Sequence, residues 1–390
     1  MTVVKRTPFA LVILLWLSGV LAAGQFAKIS VTFPYFRDVF SSHGPTLGFL
    51  VSLVSTVGLI CGLFAGAFIA RVGARKPLIA ALCLGAGLSI YQSTIPNFGP
   101  FLMSRLFEGI SHLLIVVAAP TVLGQITEPR HRAVTMASWS TVFAVSFAMF
   151  SWGGAPLVER FGVPFLFLCH GAGMTLAAVG VWAFLPSNII PRSPNPLTLR
   201  AIVARHVTAY TSPWIAAPAA GWFFYAAGFV ALVTVMPDFF VPEHRLVLVG
   251  ILPLSALVVS MTLGITLVRR FTSVPVVIGG FCLSLFMALS LAFGAPVELA
   301  GIAILAATGL VQAGSFSAIP VLNVTPQDQA LANGALAQLG NAGNMIGTPL
   351  LILLTNAFGL SGVIVFAACT FGCGAVIHLL LVRLRRTRAR

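Results

Sequence analysis

Charge is what this sequence has least of. Of 390 residues only eight are acidic, and charged residues make up 8% of the chain, about a third of the share usual in soluble domains. A globule of this size must still present a polar exterior, so the composition argues against a water-soluble enzyme, a disordered chain and a nucleic-acid binder. The G-x-x-x-x-G-K-[ST] and H-E-x-x-H patterns are absent, which removes the usual phosphate cradle and one common zinc centre. The six cysteines, Cys61, Cys83, Cys169, Cys282, Cys369 and Cys373, lie in apolar runs without metal-ligand spacing to a histidine. They read as small hydrophobes, and neither a metal nor any other cofactor is expected.

What is abundant is apolar: 58% of the residues, with a mean hydropathy of +1.03. About 20 apolar residues cross a bilayer core as a helix. Twelve runs qualify, at 9–34, 46–70, 77–96, 100–124, 133–155, 163–185, 212–236, 246–268, 274–294, 298–322, 330–355 and 361–382. The expected fold is therefore all-α and membrane-integral, with twelve transmembrane helices. The net charge of +14 falls in the short segments between the runs. With the N-terminus placed in the cytoplasm, 17 of the 22 basic residues lie inside, among them Lys5, Arg6, Arg71, Arg75, Lys76, Arg130, Arg132, Arg192, Arg200, Arg205, Arg269, Arg270 and the arginines of the tail from Arg383 to Arg390. This asymmetry predicts cytoplasmic termini and a basic tail that meets anionic lipid. The first run is too long for the core of a typical signal peptide and reads as a retained helix.

The longest polar connector carries Pro186, Pro191, Pro194 and Pro196, a density that disfavours a packed element. It divides the chain into an N-terminal six-helix bundle (1–186), a cytoplasmic connector (187–211) and a C-terminal six-helix bundle with its tail (212–390). The halves echo one another. Gly66-x4-Arg71 recurs as Gly264-x4-Arg269, 198 positions later; Pro129 with Ala133 recurs as Pro326 with Ala330, and Phe161-Gly162 as Phe358-Gly359, each 197 later. Parallel repeats of this kind imply substrate binding near the mid-plane and alternating access. Without a nucleotide motif, transport is expected to be secondary.

The segment Gly66-Ala-Phe-Ile-Ala70-Arg71-Val-Gly73-Ala74-Arg75-Lys76 resembles the signature loop of the major facilitator superfamily, G-x-x-x-D-R-x-G-R-K. Gly66, Arg71, Gly73 and the basic Arg75 match, whereas Ala70 replaces the acid and Ala74 a base. Arg105-x3-Gly109 is similar to the R-x3-G element of the family's fourth helix. Gly24-Gln-Phe-Ala-Lys28 is similar to the first helix of bacterial cyanate-type carriers. The resemblance implies two six-helix bundles, with the first, fourth, seventh and tenth helices lining a central cavity. Ala70 stands where the family's cytoplasmic charge latch uses an acid. The G-x3-G-P-x2-G-G pattern of the family's antiporters is missing from the fifth span, which argues against drug–proton exchange.

Ionisable residues inside a bilayer are costly and mark a cavity or a partner. Lys28 lies in the first span; Arg105, Glu108 and His112 share one face of the fourth. At roughly 1.5 Å per residue, Lys28 and Glu108 fall at similar depths, about 9 and 12 Å below the outer mouth, with His112 about 18 Å down. Two readings are open: an ion pair that only neutralises buried charge, or an anion site with a proton relay. In the second, Lys28, Arg105 and Gln25 bind substrate while Glu108 and His112 couple protons, because two bases against one acid leave a surplus positive charge. His170 and His378, each without a spaced partner, read as satisfied or interfacial. The second half offers neutral groups: Trp222 and Tyr225; Gln312, Ser315 and Ser317; and Gln338, Asn341, Asn344 and Thr348 on a glycine-rich stripe. Tyr225, Gln312, Gln338 and Asn341 are candidate substrate contacts, and helix-packing glue is the alternative. The overall expectation is a non-enzymatic, monomeric carrier in the bacterial inner membrane. Its partners are a small organic, anionic solute, protons as coupling ion and lipid, with no nucleic acid. Proton-coupled efflux of drugs or amphipathic metabolites is the rival.

Overall fold

The computed structural model describes residues 7–187 and 198–388. Lys5, Arg6, Arg192 and Arg390, used above for orientation, lie outside the described residues, as do positions 188–197 of the expected connector. The described residues are helical and contain no strand.

Helices occupy all twelve predicted runs. They are α1 (Phe9–Val31), α2 (Ser55–Val72), α3 (Arg75–Gln92), α4 (Phe98–Ile126), α5 (Val142–Phe161), α6 (Val163–Phe184), α7 (Ala216–Phe239), α8 (Pro242–Phe271), α9 (Ser273–Phe293), α10 (Val297–Leu322), α11 (Pro326–Phe358) and α12 (Leu360–Arg388). Among the described residues, nine are long and apolar enough to cross a membrane. A tenth span forms if Ser41–Ser52 and Ser55–Gly62, bent by 50°, count together. The two helices outside that tally are α3 and α11. Arg75 and Lys76 open α3, and glutamines and asparagines run along α11, so hydropathy alone understates them. Proline density predicted no packed element in the connector, yet its later part is a helix, Leu199–Thr211. The prolines stop before it, and its C-terminal region is held by α12, whose Arg388 and Arg385 donate to the carbonyls of Thr211 and Pro213 at 3.0 and 2.9 Å.

The chain falls into two compact units. The first comprises Met1–Tyr35 with Phe64–Thr198, the second Phe36–Leu63 with Leu199–Arg390. In the first, α3 packs on α4 and α6, and α1 packs on α4, α5 and α6. Their core includes Leu15, Ala22, Leu78, Leu82, Ile115, Val122, Met174 and Val181. In the second, the glycines of α11 form its contact with α7. A methyl on Gly343 or Gly347 would meet the backbone of Phe223 or Ala227, and one on Gly340 the indole of Trp222. The segment Phe36–Leu63, which includes the start of α2, joins this unit because Gly48 lies against Pro349 and Gly58 against Asn341. Five of the cysteines are exposed on their helices, and Cys61 is partly buried.

A second recurrence appears in the backbone. Both α5 and α8 contain a π-turn, Phe150–Gly154 and Ser260–Gly264, then seven α-helical residues and a tight left-handed turn into the next helix. The turn residue is Gly162 (φ 82°) in one and Thr272 (φ 66°) in the other. With ψ near 172°, Thr272 holds a conformation natural only to glycine, at about 1–3 kcal/mol. Thr272→Gly removes that strain from an exposed position. It should raise the melting temperature of the detergent-solubilised protein by about 1–3 °C. A lowered melting temperature would contradict the assignment of strain.

Candidate functional site

The candidate charged residues of the first unit converge. Glu108 is the hub, and Lys28, Arg105 and Glu108 are all 0% exposed. Lys28 Nζ from α1 donates to Glu108 Oε1 at 2.7 Å. Arg105, one turn earlier on α4, pairs with Glu108 Oε2 and donates to the carbonyl of Gln25 at 2.7 Å. The i, i+3 spacing puts guanidinium and carboxylate on one helical face, and α1 crosses that face at Gln25 to Lys28. Lys28 also donates to Ser89 Oγ at 2.6 Å and lies 4.9 Å from the centre of the Phe167 ring. Two cationic partners for one carboxylate meet the requirement that a buried charge be paired and hydrogen-bonded. The cluster retains one surplus positive charge.

A polar shell surrounds these groups. Gln92 donates to Glu108 Oε2 at 2.9 Å and to Ser104 Oγ at 3.0 Å. Gln25 donates to Ser111 Oγ at 2.9 Å, and Ser111 to the carbonyl of Ala81 at 2.7 Å. Gly85 makes room for this layer, since a methyl there would crowd Ser111 and Gln25. Among the described residues, Oε1 of Gln25 and of Gln92 are buried acceptors without a donor. Such an atom costs free energy unless something donates to it.

His112 sits on the predicted face, but its Nδ1 lies 3.1 Å from the carbonyl of Ala22, with Phe26 and Phe143 edge-on to the ring. His170 is satisfied, as expected, by Ser89 and the carbonyl of Leu21. His378 is different: it is 0% exposed, and neither ring nitrogen has a partner among the described residues. Ser89, Gln92, Ser104 and Ser111 were not singled out in the sequence. Their signal was the i, i+3 pair Ser89/Gln92 in an otherwise apolar stretch of α3 and the serines flanking the charged face of α4.

The neutral candidates of the second unit do not form one cluster. Tyr225 is buried, its hydroxyl 3.5 Å from Gln312 Oε1 and its ring stacked on Trp222 at 4.2 Å. Phe316 meets Trp222 edge-on at 5.0 Å. Gln338 donates to the carbonyl of Leu59 at 2.6 Å and accepts from Tyr210 at 2.8 Å. Burial pushes the Tyr210 phenol up to about 12, so it acts as a neutral donor. Asn341 bonds back to the carbonyl of Ala337 at 2.8 Å. In the signature loop Gly73 takes φ 84°, which explains its glycine. Arg75 holds the carbonyl of Trp182 at 2.5 Å, while Gly66 and Arg71 are exposed.

A helical membrane protein with duplicated sequence and buried charge in its spans has the build of a solute carrier. The sequence profile described as Major Facilitator Superfamily matches residues 15–323, and the chain belongs to that family. Its fold is similar to that of a bacterial homologue of the human lysosomal transporter Spinster, with a TM-score of 0.74 at 15% identity over 97% of each chain. The human organic anion transporter TETRAN matches with a TM-score of 0.72 at 18% identity, over 96% of this chain and 100% of that one. The proton:xylose symporter XylE gives 0.69 at 17% identity, over 94% of each. By sequence, 146 residues are 26% identical to Multidrug resistance protein 2 of Bacillus subtilis; the match spans 37% of this chain and 36% of that relative.

The charge balance makes the two ends of the ion pair unequal. Lys28→Met leaves Arg105 and Glu108 as a neutral pair, whereas Glu108→Gln strands two buried cations. Glu108→Gln should therefore cost about 3 kcal/mol or more and Lys28→Met much less, read as melting temperatures of the purified variants. Equal losses would count against Glu108 as the hub.

Proposed function

We propose that the chain is a proton-coupled carrier that takes up a small organic anion by alternating access, as a monomer in the bacterial inner membrane with both termini cytoplasmic. The observation that carries this reading is the buried Lys28–Glu108–Arg105 cluster with its surplus positive charge. A carboxylate is the natural counterion for that surplus, and Arg105 supplies it with a charge that does not titrate. Lys28 and Gln25 are its other proposed ligands.

Glu108 is the proposed proton carrier. Protonation would free Lys28 and Arg105 for the substrate, which links the two cargoes through one carboxylate. The Gln92 amide supports this role, because turning it over would aim its unpartnered Oε1 at the carboxyl hydrogen. His112, one turn further along α4, is assigned a secondary part in proton exchange. Tyr225, Gln312, Gln338 and Asn341 are the neutral recognition groups, and the loop with Gly66, Arg71, Gly73 and Arg75 is structural.

Efflux of amphipathic compounds is the second reading. It draws on the Bacillus subtilis relative's name and on the aromatic set Trp222, Tyr225 and Phe316.

Uptake into proteoliposomes separates the two. A panel of organic acids, neutral metabolites and cationic drugs is offered with and without an inward proton gradient. Organic acids should accumulate only with the gradient. Glu108→Gln should abolish accumulation while retaining counterflow, and Lys28→Ala should raise KM for the acid about tenfold, the worth of one charge-assisted hydrogen bond. Unchanged KM would remove the anion site, and gradient-driven uptake by Glu108→Gln would remove Glu108 from coupling. Movement of the cationic drugs alone would favour efflux.

A further inference from the structure

His170 has both ring nitrogens committed, in opposite senses. Its Nε2 lies 2.8 Å from the carbonyl of Leu21, which only accepts, so Nε2 carries the ring hydrogen. Nδ1 is then the acceptor of the neutral ring, and the Ser89 hydroxyl, 2.6 Å away, donates to it. Ser89 Oγ accepts in turn from Lys28 Nζ at 2.6 Å, and Lys28 donates to Glu108 Oε1 at 2.7 Å. From Lys28 through Ser89 to His170 the bonds run in one direction, and on its other side Lys28 donates to Glu108. They form one continuous chain from Glu108 on α4, through Lys28 on α1 and Ser89 on α3, to His170 on α6. Ser89 is 0% exposed and His170 is 3% exposed, so bulk water does not interrupt it.

Each packed element adds what such a chain requires. The charged groups near His170 are Lys28 from α1 and Arg105 and Glu108 from α4. From α3 come the uncharged Ser89 and Gln92, and from α5 the Phe150 ring at 5.7 Å. Among the described residues His112 has no corresponding hydroxyl link; its Nδ1 faces the carbonyl of Ala22.

We infer that Ser89 and His170 are the path by which the coupling proton leaves Glu108. The inference rests on the reading of Glu108 as proton carrier. In the step, taken once substrate has left and Lys28 again lies beside protonated Glu108, the Lys28 ammonium passes a proton to Ser89 Oγ as Ser89 passes its own to His170 Nδ1, and the neutral Lys28 amine then takes the hydrogen of Glu108. Lys28 and Ser89 each gain one proton and lose one. Glu108 returns to carboxylate, and His170 becomes imidazolium, still anchored through Nε2 to Leu21. The net charge of the group is unchanged, so the transfer moves one positive charge from α4 to α6 without placing another in the membrane.

The test uses the proton itself as probe, on the purified full chain. A light-triggered pH jump is applied, and the carbonyl stretch of protonated Glu108, identified by its loss in Glu108→Gln, is followed by time-resolved infrared spectroscopy. Ser89→Ala removes the bridge. His170→Gln keeps an acceptor for Ser89 but cannot hold a proton. Both should slow deprotonation of Glu108 at least about tenfold, within the range for loss of a proton-transfer group, while the equilibrium amplitude of the band persists. A band whose rate is the same in wild type, Ser89→Ala and His170→Gln overturns the path alone. Slowing in Ser89→Ala but not in His170→Gln removes His170. A wild type with no such band at any pH it tolerates overturns the proton-carrier reading, and the path with it.

Discussion

Burying charge in a membrane is expensive, and the first unit is organised around meeting that expense. Lys28, Arg105 and Glu108 are withdrawn from solvent, so every hydrogen-bonding direction of the carboxylate has to be filled. Four helices contribute: α1 and α4 the charges, α3 the amide and hydroxyl, α6 the histidine and an aromatic face. Removing α3 or α6 from this arrangement would leave polar groups facing hydrocarbon, a worse state than the ion cluster itself. The polar layer therefore ties these four helices together at one level.

The second unit solves its packing by the opposite means. Its helices approach through glycines, with Gly343 and Gly347 of α11 against the backbone of α7, Gly280 of α9 against α10, and Gly374 of α12 against Phe281. Close backbone approach replaces hydrogen bonding as the source of specificity, as expected where lipid supplies no hydrophobic drive between helices. Polar side chains along the same helices mostly spend their bonds on carbonyls of their own or neighbouring turns. Ser284, Thr308, Ser317 and Asn341 all do so.

The all-helical fold was legible because membrane spans write themselves in length and hydropathy, and the family because Gly66, Arg71, Gly73 and Arg75 sit at fixed spacing around a left-handed turn. The meeting of Lys28 with Glu108 was legible too, from helical rise and the scarcity of charge. Ser89 and Gln92 escaped notice because one hydroxyl and one amide in an apolar run look like packing until a second helix is set beside them. Gln338 was legible as a candidate but its partners were not. Spacing places it as an amide on a polar stripe, whereas its bonds to Leu59 and Tyr210 depend on neighbours far away in the chain. The connector helix was hidden by prolines that precede it, and Thr272 by a turn whose geometry no residue preference announces.

The five exposed cysteines carry a practical consequence. Cys169, Cys282, Cys369 and Cys373 sit on helices long and apolar enough to cross a membrane, where reagents confined to water have no route, while oil-soluble thiol reagents do. These four thiols should thus be nearly silent to hydrophilic maleimides. A cysteine introduced at a loop would be tagged against a dark background once Cys61 and Cys83 alone had been replaced.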